Sequence, residues 1–392
     1  VTTMRTLAFL MTYGFSLDLW SKRGIFDREV RVLFPLSKLY DRVFIVSYGD
    51  CRDKEYYYVL PSNVYVLSRP SSKMHYFMYS LLVPFIYRRF FRRCRVIVCR
   101  TVQLFGCWVG LLLKLFYGAK LVLRQGYQFS KFARYERAFF MYFLGSFIEL
   151  LGYWLADVII VTSKNDKEYI VRRYRIDPRK VCVIPNWVNT DLFKPSPNMV
   201  KERGRIIFVG RLEYQKNLFA LVDAVKNIPD VKLYIVGDGS LRKVLENKIK
   251  REAIDNVVIL GVVPYVELPW ELNKSEIFVL PSLWEGHPKT LIEAMACGLP
   301  IIGSNVEGIR ELIKDGYNGV LCKPISKSIR EAILRLLRNS ELKRRLGENA
   351  RRFVVENFSF EKIMRKELAL HLWLIRQCRE KRKRCRGWLR FL

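Results

Sequence analysis

The chain has 392 residues, 51% of them hydrophobic, with 68 Lys and Arg against 37 Asp and Glu, a formal charge of +31. That much apolar side chain offsets chain entropy and excludes intrinsic disorder; 22 Gly and 15 Pro are too few for a collagenous or low-complexity chain. The length predicts two domains, or three, and the charge speaks to anionic partners (nucleic acid, membrane surface, phosphorylated substrate) and not to fold.

Val1 standing first is read as a translated non-AUG start. The apolar stretch 7–13 is short, with only Arg5 before it, and reads as a strand and not as an export signal. Buried parallel strands are predicted at 6–12, 43–48, 96–99, 120–123 and 157–162, separated by helical stretches, the pattern of a doubly wound sheet. The apolar run 138–155 barely meets the spanning length. It contains Glu149, is followed by Asp157 and runs straight into Val-Ile-Ile-Val, so a buried helix feeding a strand is expected in place of a membrane span.

From Tyr56 to Tyr135 there is no Asp or Glu, while the same 80 residues carry 13 Lys or Arg with aromatics between them, including RRFFRRCR at 88–95. The C-terminal HLWLIRQCREKRKRCRGWLRFL repeats the theme. Such a surface fits the headgroup region of an anionic bilayer; tracking nucleic-acid phosphates or a merely solvated face are the other readings. Bulky Leu, Phe and Trp beside the charges favour lipid.

Around 186–204 turn formers with Pro195 and Pro197 mark a linker. Alternation then restarts: strands at 205–209, 231–236, 257–260, 277–280, 300–303 and 320–322, helices at 240–253 and 289–297, and a basic helical segment from about Phe360. The domains expected are 1–190, a linker 191–204, 205–360, and a basic helix 361–392. Two such α/β blocks would hold a ligand at the carboxyl ends of their strands, in a cleft between them.

The nine cysteines are scattered and odd in number, with no C-x-x-C pair, and His75, His287 and His371 stand far apart. A disulfide framework and a zinc site are both unexpected, and a reducing cytoplasmic compartment fits better.

Chemistry concentrates in PSLWEGHPKTLIEAMACGLPIIGSN at 281–305. A strand ends in Pro281, a loop carries Glu285, Gly286 and His287, and a helix opens near Pro288 with Lys289, Thr290 and Leu291 in its first turn. Glu293 follows Glu285 by eight. Free amides at that helix start suit a diphosphate. In VGRLEYQKN at 209–217 a strand ends at Gly210, and Arg211 and Lys216 project two cations for the same anion, with Asn217 beside them. No Asp-x-Asp pair accompanies them, which points to a metal-free clamp. Gly237-Asp238-Gly239 lacks the third glycine of a dinucleotide fingerprint.

At these residues the chain resembles the retaining glycosyltransferases of the GT-B fold, family 4. The Glu-x7-Glu motif is matched by Glu285 and Glu293, and the Gly-Arg-Leu…Lys-Asn element by Gly210, Arg211, Leu212, Lys216 and Asn217. IPNWVNTDLFKP at 184–195 matches a third element, with Trp187 replacing the usual Gly, and Asp315, Gly316, Asn318 and Gly319 match a fourth. The resemblance implies two Rossmann-like α/β domains facing a cleft, with a C-terminal helix returning to the first. It implies that Arg211 and Lys216 neutralise the donor diphosphate, that Glu293 binds the ribose and Glu285 the transferred sugar, and that amides from His287 to Leu291 and the turn at Gly14 approach the donor. The co-substrate would be a nucleotide diphosphate sugar, with no cofactor and no metal. The acceptor would be a lipid-linked or cell-surface glycan, reached by peripheral contact with the inner face of the cell membrane, with no nucleic acid as partner. The sequence departs from relatives in Tyr13-Gly14-Phe15, where many have Gly-Gly, in lacking a His near Arg124-Gln125-Gly126-Tyr127, and in Arg310, where Pro is usual. An epimerase or phosphorylase on the same fold is the alternative enzyme; a basic nucleic-acid-binding protein is the alternative from another class.

Overall fold

The computed structural model describes residues 4–388, with side chains to 378. Val1 and the charged side chains past residue 378 lie outside the described residues, and with them the reading of a non-AUG start and most of the C-terminal basic surface.

The chain divides into two compact units, residues 1–184 with 364–392, and residues 185–363. The first holds seven strands: β1 (Arg5–Leu10), β2 (Arg42–Val46), β3 (Val64–Leu67), β4 (Val96–Thr101), β5 (Lys120–Gln125), β6 (Val158–Val161) and β7 (Val181–Val183). Their order is β3-β2-β1-β4-β5-β6-β7, all parallel, with Leu7 opposite both Val43 and Val98. Helices cover both faces, so the central strands are buried almost throughout instead of alternating, and their polar residues Thr6, Arg100, Thr101, Arg124 and Gln125 are buried with the apolar ones. The two edge strands, β3 and β7, were not expected from the sequence; they are only four and three residues long.

The second unit carries β8 (Arg205–Val209), β9 (Lys232–Val236), β10 (Val257–Gly261), β11 (Ile277–Leu280), β12 (Ile301–Ser304) and β13 (Val320–Cys322). The order is β10-β9-β8-β11-β12-β13, again parallel. Its core runs from Ile206 and Phe208 through Phe278 and Leu291 to Leu346 and Val354.

Three expectations need correction. Segment 191–204 is no free linker. Phe193 is fully buried, Asn273 Nδ2 donates to Lys194 O (2.9 Å), and Arg351 donates to the carbonyls of Phe193 (2.6 Å) and Thr190 (3.1 Å). The prolines only remove backbone donors; side chains from the second unit take up the carbonyls. The chain therefore changes unit at 184/185 and not at 190, and again at 363/364.

The third correction concerns helix Phe139–Leu155. It feeds β6 as expected, but it is not buried: a stripe of Phe, Leu and Trp on it faces outward.

The returning C-terminal element is the helix Phe360–Trp388, whose residues from Met364 belong to the first unit.

Candidate functional site

Parallel pairing of β8 with β11, Ile206 against Ile277 and Ile207 against Phe278, brings the loops after both strands side by side. These are the loops 210–217 and 281–288. Leu283 N donates to Gln215 O (2.8 Å), and Gln215 Nε2 donates to Trp284 O (2.7 Å), so backbone and side chain stitch them together. Asn217, at φ 55° ahead of the helix Leu218–Val225, donates to Pro281 O (3.1 Å) and Pro324 O (3.0 Å).

Within this frame Lys216 Nζ pairs with Glu285 Oε1, both side chains largely removed from solvent. The same oxygen accepts from Ser282 Oγ (2.7 Å), and Oε2 accepts a longer contact from Gln215 Nε2 (3.4 Å). The resemblance gave Lys216 to a diphosphate and Glu285 to a sugar; the structure joins them to one another. Arg211 is exposed, with no ion pair among the described residues.

Helix Lys289–Ala296 starts beside this pair, with Pro288 as its N-cap in extended backbone (φ −68°, ψ 117°). No side chain caps this start, and Lys289, Thr290 and Leu291 supply the first-turn amides, which have no acceptor within the helix. His287 is buried. Its carbonyl accepts from Asn186 Nδ2 (2.7 Å), and its ring meets Phe358 edge-on at 5.1 Å. Glu293 is 1% exposed, so a ribose would reach its carboxylate only if neighbouring side chains gave way.

Glycines permit the close approach of these loops. A Cβ on Gly237, at φ 134°, would stand 1.9 Å from Gly210 O; one on Gly308 would stand 1.8 Å from Gly286 O. The Gly237-Asp238-Gly239 turn is thus a packing partner of the Gly210–Leu212 loop: Gly210 N donates to Val236 O (3.0 Å) and Leu212 N to Asp238 O (2.9 Å). Gly14 lies in the first unit, at φ 77° after β1, beside a cluster in which Tyr13 meets Tyr48, Tyr76 and Trp108 at 5.3, 5.9 and 5.5 Å.

Other motif residues have structural duties. Trp187 packs edge-on against Phe360 at 4.6 Å, which accounts for an aromatic where relatives have Gly. Asn318 is buried; it donates to Leu312 O (3.0 Å) and accepts from Lys314 N (2.7 Å), closing the turn into β13. Sequence reading missed Gln215, Ser282 and Asn186. They stand inside the quoted segments 184–195, 209–217 and 281–305, but nothing in their type marks them as partners. No group of three or more His, Cys, Asp or Glu that could hold a metal ion lies together among the described residues.

Two family models match the chain: glycosyl transferases group 1 over residues 189–353 and glycosyltransferase family 4 over residues 36–192. Fold and matches together define the class, a protein of the GT-B glycosyltransferase fold. The chain belongs to its family 4 type. An uncharacterized glycosyltransferase of Methanocaldococcus jannaschii is 34% identical over 208 residues, 53% of this chain and 57% of that protein. The UDP-Gal:alpha-D-GlcNAc-diphosphoundecaprenol alpha-1,3-galactosyltransferase of Escherichia coli is 32% identical over 234 residues, 55% and 60% of the two chains. The matches thus span little more than half the length of these curated relatives. Among solved structures, a sucrose-phosphate synthase from Thermosynechococcus elongatus superposes with a TM-score of 0.78 at 20% identity, covering 95% of this chain and all of that one. HepE of Anabaena, in complex with UDP and glucose, gives 0.74 at 18%, covering 94% and 99%. At these identities the likeness speaks to fold.

Proposed function

We propose that the protein transfers a sugar from a nucleotide diphosphate sugar to a lipid-linked glycan at the inner face of the cell membrane, with retention of configuration and without a metal. The observation that carries this reading is the Lys216–Glu285 pair, held by Ser282 and Gln215 beside an uncapped helix start. A donor would divide the pair. Its diphosphate takes Lys216, Arg211 and the amides of the helix start, while its sugar hydroxyls donate to Glu285. Negative charge grows on the diphosphate as the glycosidic bond breaks, and cations and amides already in place stabilise it there without reorganising. The departing phosphate takes the acceptor's proton, so no histidine base is required. Glu293 would take the ribose once neighbouring side chains give way to admit it. That the E. coli relative is named for a diphosphoundecaprenol-linked acceptor supports the acceptor class.

The test is thermal unfolding against a panel of nucleotide sugars, since a ligand that binds only the folded state raises its stability. One donor is expected to raise Tm, and the shift is expected to vanish in Arg211→Ala and Lys216→Ala. Product anomers read by NMR and turnover in a chelator check retention and metal independence. A shift that persists in both variants overturns the site; the absence of any shift overturns the donor class.

A further inference from the structure

Helix Phe139–Leu155 is amphipathic in the reverse sense for a water-facing helix. Toward the sheet it presents Gly145, Glu149, Gly152 and Tyr153, all buried. The glycines let it press close: a Cβ on Gly145 would stand 2.4 Å from the Phe129 ring, and one on Gly152 would stand 2.9 Å from Leu123. Outward it presents Phe140, Phe143, Phe147 and Trp154, which are 77%, 68%, 58% and 61% exposed. Their spacings of three, four and seven place them along one stripe. At about 200 Å² per aromatic side chain, this helix alone shows water roughly 500 Å² of apolar surface, as much as the largest patch on a typical monomer.

The surface does not end there. Helix Cys107–Tyr117 packs against both Phe139–Leu155 and Tyr76–Ile86. It exposes Phe116, whose ring meets that of exposed Phe85 at 4.9 Å. Next in the chain stand exposed Arg88, Arg89, Arg92 and Arg93, inside the 80 residues that contain no acid. The only carboxylate on helix Phe139–Leu155 is Glu149, and it points inward. No helix among the described residues is long and apolar enough to cross a membrane.

We propose that this face of the first unit is a membrane-docking surface: helix Phe139–Leu155 lies in the plane of an anionic bilayer, with its aromatic stripe sunk to the acyl boundary and the arginines on the headgroups. At 17 residues the helix would lie along roughly 25 Å of that boundary. Charge complementarity selects the occupant. A second copy would oppose arginines to arginines, whereas a leaflet of acidic lipid offers apolar depth and negative charge together. The inference deepens the reading of a lipid-linked acceptor and rests on it for its purpose; its observations are separate from those of the donor site.

The experiment is flotation of the full chain with vesicles of phosphatidylglycerol and phosphatidylcholine, and with phosphatidylcholine alone, at physiological salt. Wild type is expected to float with the acidic vesicles. Phe140→Ser, Phe143→Ser, Phe147→Ser and Trp154→Ser combined are expected to lower that binding about 100-fold. Arg88, Arg89, Arg92 and Arg93 changed to Gln are expected to lower it on acidic vesicles and leave the neutral ones unaffected. All of these side chains are exposed, and of the four on the helix Trp154 also donates its Nε1 to Tyr174 O (3.1 Å), so circular dichroism and the donor-induced Tm shift are measured alongside and are expected to stay at wild-type values. That shift reads the second unit, so its loss in wild type would count against the donor site and not against this surface. Wild-type flotation by the four-serine variant, or the same change converting a dimer to a monomer with no effect on flotation, overturns the proposal.

Discussion

Lys216 and Glu285 hold opposite charges in a place with little water to screen them. Removing one partner of such a pair costs more than the pair contributes, because the other is left charged and poorly solvated. Lys216→Ala is therefore expected to destabilise the second unit by about 3 kcal/mol in urea unfolding and to lower turnover about 100-fold or more. Lys216→Ala with Glu285→Gln is expected to recover much of the stability and none of the turnover. Full recovery of turnover would show the pair to be structural only. The two residues are legible in the sequence as members of motifs. Their pairing is not, since they stand 69 residues apart and meet only because β8 and β11 are sheet neighbours. Glycines show the same divide. Gly237→Ala would put a Cβ onto Gly210 O and is expected to weaken the donor-induced Tm shift as the Gly210–Leu212 loop moves. Gly118→Ala, at φ 65° with nothing within 4 Å, is expected to cost only about 1 kcal/mol and to leave the shift intact.

Among the elements, continuous apolar runs identified the central strands because both their faces are covered, and a run of four buried residues such as Ile277–Leu280 admits little else. Edge strands β3 and β7 are too short for that signal. Helix Phe139–Leu155 was legible as a helix and misread as buried, since hydrophobic content does not tell which side faces the sheet. The inward placement of Glu149 resolves it. Glu149 accepts from Gln125 Nε2 (2.9 Å), Ser130 N (3.2 Å), Ser130 Oγ (2.5 Å) and Tyr174 OH (2.5 Å), tying the helix to β5 and to the helices Phe129–Tyr135 and Lys164–Tyr174. Glu149→Leu leaves these buried donors without an acceptor. It is expected to cost about 3 kcal/mol or more and to speed amide exchange in Phe129–Tyr135, whereas Glu149→Gln, which keeps one acceptor oxygen, is expected to cost less. Equal losses in the two would mean that volume, and not hydrogen bonding, fixes the helix.

In the molecule as a whole, the C-terminal helix is tied to the first unit by ionisable groups withdrawn from water. The return of that helix was legible through the family resemblance. Its anchor was not, because Arg100 and Arg124 read as ordinary strand residues and Glu367 stands 267 positions from Arg100. Burial works against ionising Glu367, but Arg100, bonded at 2.8 Å, and Arg124 overcome it and hold the carboxyl at about 2. His371, one turn further on, shares a 2.7 Å hydrogen bond with Tyr40 OH. Burial lowers its imidazole to about 4 against the pull of Glu367, with Arg100 adding to the drop. The folded state therefore keeps His371 neutral where the unfolded chain, near 6.5, already takes up a proton. The stability this contributes is intact above about pH 6.5 and is lost progressively toward pH 4, by on the order of 3 kcal/mol in all. Glu367, depressed from its unfolded value, adds a second loss between about pH 4.5 and 2. With a formal charge of +31 the whole chain also repels itself more as acids protonate, so the latch must be read by difference. His371→Gln keeps a hydrogen-bond partner for Tyr40 and cannot titrate. Urea unfolding from pH 8 to pH 4 is expected to show the two proteins converging as pH falls, with the wild type losing its advantage below pH 6.5. Parallel curves over that range would mean that His371 is protonated, or solvated, in the folded protein, and that the ion pair of Arg100 and Glu367 alone holds the helix.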